Sequence, residues 1–270
     1  MIRDYVHGYD AAEQQRLQDQ AATLVDLLHG DTGYPAGCSV LEAGCGVGAQ
    51  TVTLAANSPE AKITSIDISE TSLAQARAAI AAAGLSNVAF MQANIFDLPF
   101  ASESFDHVFV CFVLEHIRDP AAALAALARV LKPGGTITVI EGDHGSTYFH
   151  PRSALADRAV DILVELQARS GGDALIGRRL YPLLVDAGFS DARVSPRMVY
   201  VDGGRPHLID GFTRKTFAAM VAGVREPALA AGLATAEDFD RGVADLLRAA
   251  APDGVFCYTF FKAVARKPRG

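Results

Sequence analysis

Positions 10–29 are mostly polar, with Leu17, Ala21, Leu24, Val25 and Leu28 recurring at a spacing of three to four. That period predicts an amphipathic helix, and the turn-rich run 30–37 ends it. Beyond it, short apolar runs alternate with helical periods. Strands are predicted over 39–42, 62–67, 88–92, 107–111 and 136–141. Helices are predicted between them, over 49–57, 69–84 and 119–131. The stretch 74–83 is alanine-rich, a strong helix former. Strands separated by helices of this length imply parallel βαβ units in a doubly wound α/β sheet.

The second half of the chain is less regular. Helices are predicted over 154–170, 177–187, 216–224 and 236–250, with strands over 192–201 and 255–266. A helical insertion at about 203–252 therefore separates the last two strands. No internal repeat or low-complexity linker interrupts the pattern.

Composition narrows the partners. The chain has 270 residues, half of them hydrophobic, and a formal net charge of −7. Nucleic-acid binders draw most of their affinity from basic contacts to phosphate, and no basic face is written here. Arg178-Arg179 and the tail Arg266-Lys267-Pro268-Arg269 read as solvated. No apolar run reaches the roughly 20 residues of a membrane span, and the first residues carry no apolar signal core. A cytoplasmic protein, monomer or homodimer, is expected. Cys38, Cys45, Cys111 and Cys257 lack metal-ligand spacing and read as free thiols in a reducing compartment.

The densest local signal is Val40-Leu41-Glu42-Ala43-Gly44-Cys45-Gly46-Val47-Gly48, a strand running into three glycines and then a helix. Glycine permits positive φ and lets a ligand touch backbone, and the helix start offers free N–H groups. With Ala49, the same glycines satisfy GxGxxA, the dinucleotide fingerprint. Glu42 argues against that reading, because a carboxylate two residues before the first glycine disfavours a pyrophosphate. A cofactor bearing an ammonium and a sulfonium tolerates it. Asp67 ends the second strand, where a carboxylate accepts hydrogen bonds from ribose hydroxyls. Ser69 is available to cap the helix that follows.

Five segments, VLEAGCGVG, ITSIDIS, NIFDLPF, SFDHVFVCFVLEH and VLKPGGTITVIEG, occur in that order over about residues 38–142. Together they resemble the class I, Rossmann-like S-adenosylmethionine-dependent methyltransferases, especially the ubiquinone- and menaquinone-biosynthesis group. The resemblance implies a mostly parallel seven-stranded sheet whose last strand, 255–266, is antiparallel. It also implies helical lid additions at both ends: a lid over 1–37, a cofactor-binding core over 38–142, and the rest of the core with a substrate cap over 143–270. S-adenosylmethionine is the implied cofactor. Glu42, Ala43, Gly44 and Gly46 would line its methionine part. Asp67 would hold the ribose and Ile68 would pack on the adenine. Asn94-Ile95 stands where the family has Asp and a small or apolar residue, and the Asn carbonyl would accept the adenine amino group. Cys111, Phe112 and Val113 would approach the methionine end. Tyr9 and Arg16 fall in the lid and would meet the methionine carboxylate. Lys132-Pro133-Gly134-Gly135 resembles the family's turn before the fifth strand.

Polar and aromatic side chains gather where strands four and five end: Glu115-His116, then Glu141-Gly142-Asp143-His144, Tyr148 and His150. Substrates of open α/β sheets bind at those carboxyl ends. Glu141, Asp143, Tyr148 and His150 are the candidate substrate contacts. His144 or His116 is the candidate base, since an unperturbed histidine titrates near ~6.5. Glu141, Asp143, His144 and His150 also have metal-ligand chemistry, but relatives of this type act without metal, so none is expected. The expected activity is methyl transfer to an O or N atom of a small organic metabolite. C-methylation, an NAD-dependent oxidoreductase and a non-catalytic cofactor-binding module are the alternatives.

Overall fold

The structure, a computed structural model, describes residues 11–269. Helix α1 (Ala11–His29) precedes β1 (Ser39–Ala43), α2 (Thr51–Ala56), β2 (Lys62–Asp67), α3 (Glu70–Ala82), β3 (Val88–Gln92) and β4 (Phe105–Cys111). A 3-10 turn (Leu114–His116) leads to α4 (Pro120–Val130), β5 (Leu131–His150), α5 (Ala154–Arg169), α6 (Leu180–Asp186) and β6 (Ser190–Val201). After a π-helix (Ile209–Ala218) come α7 (Ala219–Gly223), α8 (Arg225–Ala230), α9 (Ala236–Leu247) and β7 (Val255–Arg266).

The seven strands lie in the order β3-β2-β1-β4-β5-β7-β6. β3, β2, β1, β4 and β5 pair in parallel. β7 runs the other way: the Gly134 N–H donates to Lys267 O at one end of β5, and the Thr259 N–H donates to Ser146 Oγ at the other. Chain numbers rise along β5 as they fall along β7, so the last strand is antiparallel, as the resemblance implies.

Local chemistry starts the helices. Ser69 Oγ accepts the Ser72 N–H and caps α3, and Asp119 caps α4 through the Ala122 N–H with Pro120 in the first turn. Ser153 and Thr235 cap α5 and α9 in the same way.

Two compact units divide the chain. One comprises residues 25–141, 176–197 and 261–269. Its core joins Leu41, Ile66, Val108, Val110, Ile137 and Val139 from the strands to Leu124, Leu127, Leu180 and Leu184 from α4 and α6. The other comprises residues 11–24, 142–175 and 198–260. There α5 packs on α9 closely enough that a Cβ on Gly242 would lie 2.5 Å from Leu155 O. Phe212, Phe217, Phe256, Tyr258 and Phe260 form a buried aromatic cluster in this second unit. No helix among the described residues is long and apolar enough to cross a membrane.

Three expectations change. The fifth strand is not confined to 136–141 but runs from Leu131 to His150. The Lys132–Gly135 turn lies inside it, as a register shift: Phe105 pairs with Leu131 and His107 with Thr136, so four residues bulge opposite Asp106. Gly134 meets that bulge at φ +79°. The basic tail is not simply solvated, because the Arg266 guanidinium donates to Gly134 O at 2.5 Å and Lys267 Nζ to Leu131 O at 2.7 Å. Those carbonyls are freed by the bulge and take charged donors. The helix expected over 216–224 begins earlier, as a π-helix. Phe212, Thr213, Thr216, Phe217 and Ala218 are its buried positions, and Thr216 Oγ donates to Gly211 O.

Candidate cofactor and acceptor site

The glycine loop is held by backbone and by one carboxylate. The Gly44 and Cys45 N–H groups both donate to Ile66 O, at 2.8 and 3.0 Å. Asp67 Oδ2 accepts the Gly46 N–H at 2.8 Å, and Oδ1 accepts the Ser69 N–H at 2.9 Å. One side chain thus ties the loop after β1 to the start of α3. A carboxylate offers about four acceptor positions, so hydroxyl donors can still join each oxygen.

Gly44, Gly46 and Gly48 all have positive φ, for different reasons. A Cβ on Gly44 would lie 2.5 Å from Val113 Cγ2, and one on Gly48 would lie 2.9 Å from Ala76 Cα, so both glycines serve close packing. Gly46 is the exception, with φ +52° and nothing within 4 Å of its missing Cβ. Its open side is room a ligand can take. Gly46→Val is therefore expected to leave a folded domain, destabilised by roughly 1–2 kcal/mol of left-handed backbone strain. The same variant should lose S-adenosylhomocysteine binding in calorimetry. Normal affinity would remove the loop from the cofactor site.

Glu42 is buried, with Oε2 accepting the Ser65 hydroxyl at 2.6 Å. Burial pushes its carboxyl up to about 7, helped by the nearby Asp67 charge and opposed by the Ser65 hydrogen bond. Ala43 is sealed in the core, which leaves only its backbone for a ligand. Ile68 is 38% exposed beyond β2, while Ile95 packs partly against the core. Asn94 is exposed, and its Oδ1 closes a turn by accepting the Phe96 N–H at 3.0 Å. An adenine amino group would have to share that oxygen.

After β4 the chain turns sharply. Phe112 sits at φ +57°, a costly conformation for a non-glycine residue, and its N–H donates to Ile140 O. The next two amides, Val113 and Leu114, donate to Glu141 Oε1 at 3.0 and 2.7 Å. Glu141 is fully buried and its Oε2 has no hydrogen-bond partner. Burial and the neighbouring Glu115 hold its carboxyl well above the usual range. Burial also raises the Cys111 thiol. His116 ends the 3-10 turn with Nε2 3.4 Å from Glu115 Oε1.

The remaining candidates belong to the other compact unit. His144 is buried, its Nδ1 2.7 Å from the Tyr258 hydroxyl and its N–H donating to Ala174 O. Phe217 meets the ring edge-on at a centroid distance of 6.0 Å. Tyr258 is the partner that sequence reasoning missed, although the alternation of β7 placed it on an inward position. Gly142 makes room for it, since a Cβ there would strike the Tyr258 hydroxyl. Gly142→Ala is expected to cost about 1–3 kcal/mol of overpacking, read as a lower melting temperature. Adding Tyr258→Phe should recover most of that loss, and a double variant no better than the single would exclude the clash. Asp143 is buried, with Oδ1 accepting the Gly145 N–H. Tyr148 and His150 are exposed on either side of buried Phe149, as strand alternation requires. Among the described residues, no three His, Cys, Asp or Glu side chains gather to hold a metal ion. Arg16 is buried and donates to Gln20 Oε1 one turn along α1, whereas Tyr9 lies outside the described residues.

Several known proteins are similar to this chain in sequence or fold. Residues 41–139 match the family described as "Methyltransferase domain". An uncharacterized 37.1 kDa protein in transposon TN4556 of Streptomyces fradiae is 36% identical over 212 residues, covering 77% of this chain and 59% of the relative. Demethylmenaquinone methyltransferase of Listeria monocytogenes is 36% identical over 106 residues, 39% of this chain and 45% of the relative. The chain thus spans less than two thirds of either relative. Among solved structures, a Haemonchus contortus phosphoethanolamine N-methyltransferase 2 in complex with phosphomonomethylethanolamine and S-adenosylhomocysteine aligns with a TM-score of 0.56 at 18% identity. That alignment covers 93% of this chain and 53% of the other. The [4+2]-cyclase SpnF aligns with a TM-score of 0.55 at 23% identity over 93% and 82% of the two chains. A shared fold therefore leaves the reaction to be argued from the site.

Proposed function

We propose that this chain, whose residues 41–139 match the family described as "Methyltransferase domain", is a class I S-adenosylmethionine-dependent methyltransferase that transfers a methyl group to an oxygen or nitrogen atom of a small organic metabolite. The observation that carries this reading is the cradle at Gly46: a left-handed residue with open space beside it, fastened by the Asp67 carboxylate. S-adenosylmethionine supplies a methyl group already activated by its sulfonium. Asp67 accepts the ribose hydroxyls, Gly44 and Gly46 let the methionine part lie against backbone, and Glu42 and Ala43 line the same part. Ile68 covers the adenine, with Asn94 at its amino edge. Arg16 and Tyr9 serve the methionine carboxylate.

Acceleration then rests on alignment, with the nucleophile about 3–3.5 Å from the methyl carbon and water excluded. A base is needed only for an acceptor that still carries its proton. His144 is the proposed base and His116 the second choice. Asp143, Tyr148 and His150 contact the acceptor. The net charge of −7 and the absence of a basic face favour a small acceptor over nucleic acid, and the cytoplasm is the expected compartment. Incubating the protein with methyl-labelled cofactor and a panel of hydroxy, carboxylic and amino metabolites, read by mass spectrometry, tests the proposal. Labelled product supports it. Cofactor binding without transfer to any panel member would favour a binding module.

A further inference from the structure

The Glu141 carboxyl is built into the fold in a way that a simple substrate contact does not need. It sits fully buried at the point where β5 passes from one compact unit to the next stretch of chain. One of its oxygens accepts two consecutive backbone amides, Val113 and Leu114. Those amides follow Phe112, whose left-handed φ of +57° persists only if its surroundings enforce it. Val113 in turn fills the space that a Cβ on Gly44 would occupy. A continuous line of contacts therefore runs from Glu141 through the turn after β4 to the glycine loop after β1.

We infer that Glu141 is a positioning residue: it braces the Phe112–Leu114 turn so that Val113 and Gly44 hold the cofactor loop in its binding shape. The inference rests on the cofactor site proposed above. A free turn would let Phe112 relax to negative φ, withdraw Val113 from Gly44 and loosen the loop. The job needs an acceptor oxygen at the Oε1 position, not a negative charge. Burial and the neighbouring Glu115 raise the Glu141 carboxyl, and glutamine offers the same acceptor oxygen without a charge. This separates bracing from both electrostatic and acceptor-binding roles, in which glutamine would fail.

The test compares Glu141→Gln with Glu141→Ala in the full chain. Each is measured by calorimetry with S-adenosylhomocysteine, by thermal melting, and by amide hydrogen exchange at Val113 and Leu114. Glu141→Ala should weaken binding by about 10- to 100-fold, the scale of buried donors left unpaired, with exchange protection lost at both amides. Glu141→Gln should bind within about threefold of the parent, because its carbonyl still accepts those donors. If the alanine variant does not fold, Glu141→Asp replaces it, since a carboxyl drawn back by one methylene cannot reach both amides. Equal loss of affinity in the glutamine and alanine variants would overturn the brace in favour of charge. Unchanged affinity in a folded alanine variant would overturn it outright. Should the parent protein bind no S-adenosylhomocysteine, the cofactor reading falls, and exchange at Val113 and Leu114 alone decides whether Glu141 holds the turn.

Discussion

Asp67→Ala is expected to weaken S-adenosylhomocysteine binding by roughly two orders of magnitude or more while the sheet still folds. Two kinds of interaction disappear together. Hydrogen bonds from hydroxyls to a charged group are worth about 1.5–3 kcal/mol each, and tenfold in affinity corresponds to about 1.4 kcal/mol. The Gly46 and Ser69 amides also lose their acceptor, so the loop becomes less ordered before any ligand arrives. Asp67→Asn separates the two losses, because its carbonyl can keep one amide without the charge. Calorimetry at matched temperature, with circular dichroism to confirm folding, reads the result. Parent-like affinity in a folded alanine variant would take Asp67 out of the ribose role.

The second large effect is on turnover. His144→Ala should lower it by about 10²–10⁴-fold, the usual scale of lost general-base assistance, with cofactor affinity near that of the parent. The buried Tyr258 hydroxyl would lose a partner at 2.7 Å, so a fall in melting temperature accompanies the kinetic change. Tyr258→Phe serves as the companion, keeping the aromatic packing with Phe212 and Phe217 and removing only the oxygen. A turnover that survives His144→Ala on an identified acceptor means the enzyme works by alignment, with no base at this position.

Much of the sheet could be read from periodicity because its signals are local. The second, third and last strands, Lys62–Asp67, Val88–Gln92 and Val255–Arg266, match their predicted ranges to the residue. The glycine loop and Asp67 were legible for the same reason: turn, strand end and helix cap lie within 30 residues of each other. What escaped was set by distant partners. Residues 142–150 contain two glycines and several polar side chains and look like a loop, but pairing such as Ser146 with Thr259, 113 residues away, makes them strand. The π-helix escaped because its buried positions, Phe212, Thr213, Thr216 and Phe217 among them, also fit the i, i+4 spacing of an α-helix. Glu141 was legible as a polar residue at a strand end, but the amides its Oε1 accepts, on Val113 and Leu114, are 28 and 27 residues away and leave no mark in the local pattern.

The strand order has a consequence for synthesis on the ribosome. β7 is the last of the seven strands to be made, and it lies between β5 and β6. Until residues 255–266 have left the exit tunnel, one edge of β5 is open and β6 has no neighbour in the sheet. Unpaired edges of this kind are where nascent chains stick to one another. Translation halted shortly before Val255 should therefore yield a chaperone-bound or aggregated product, not a partly active enzyme. The final dozen strand residues act as the closing piece of the nascent protein.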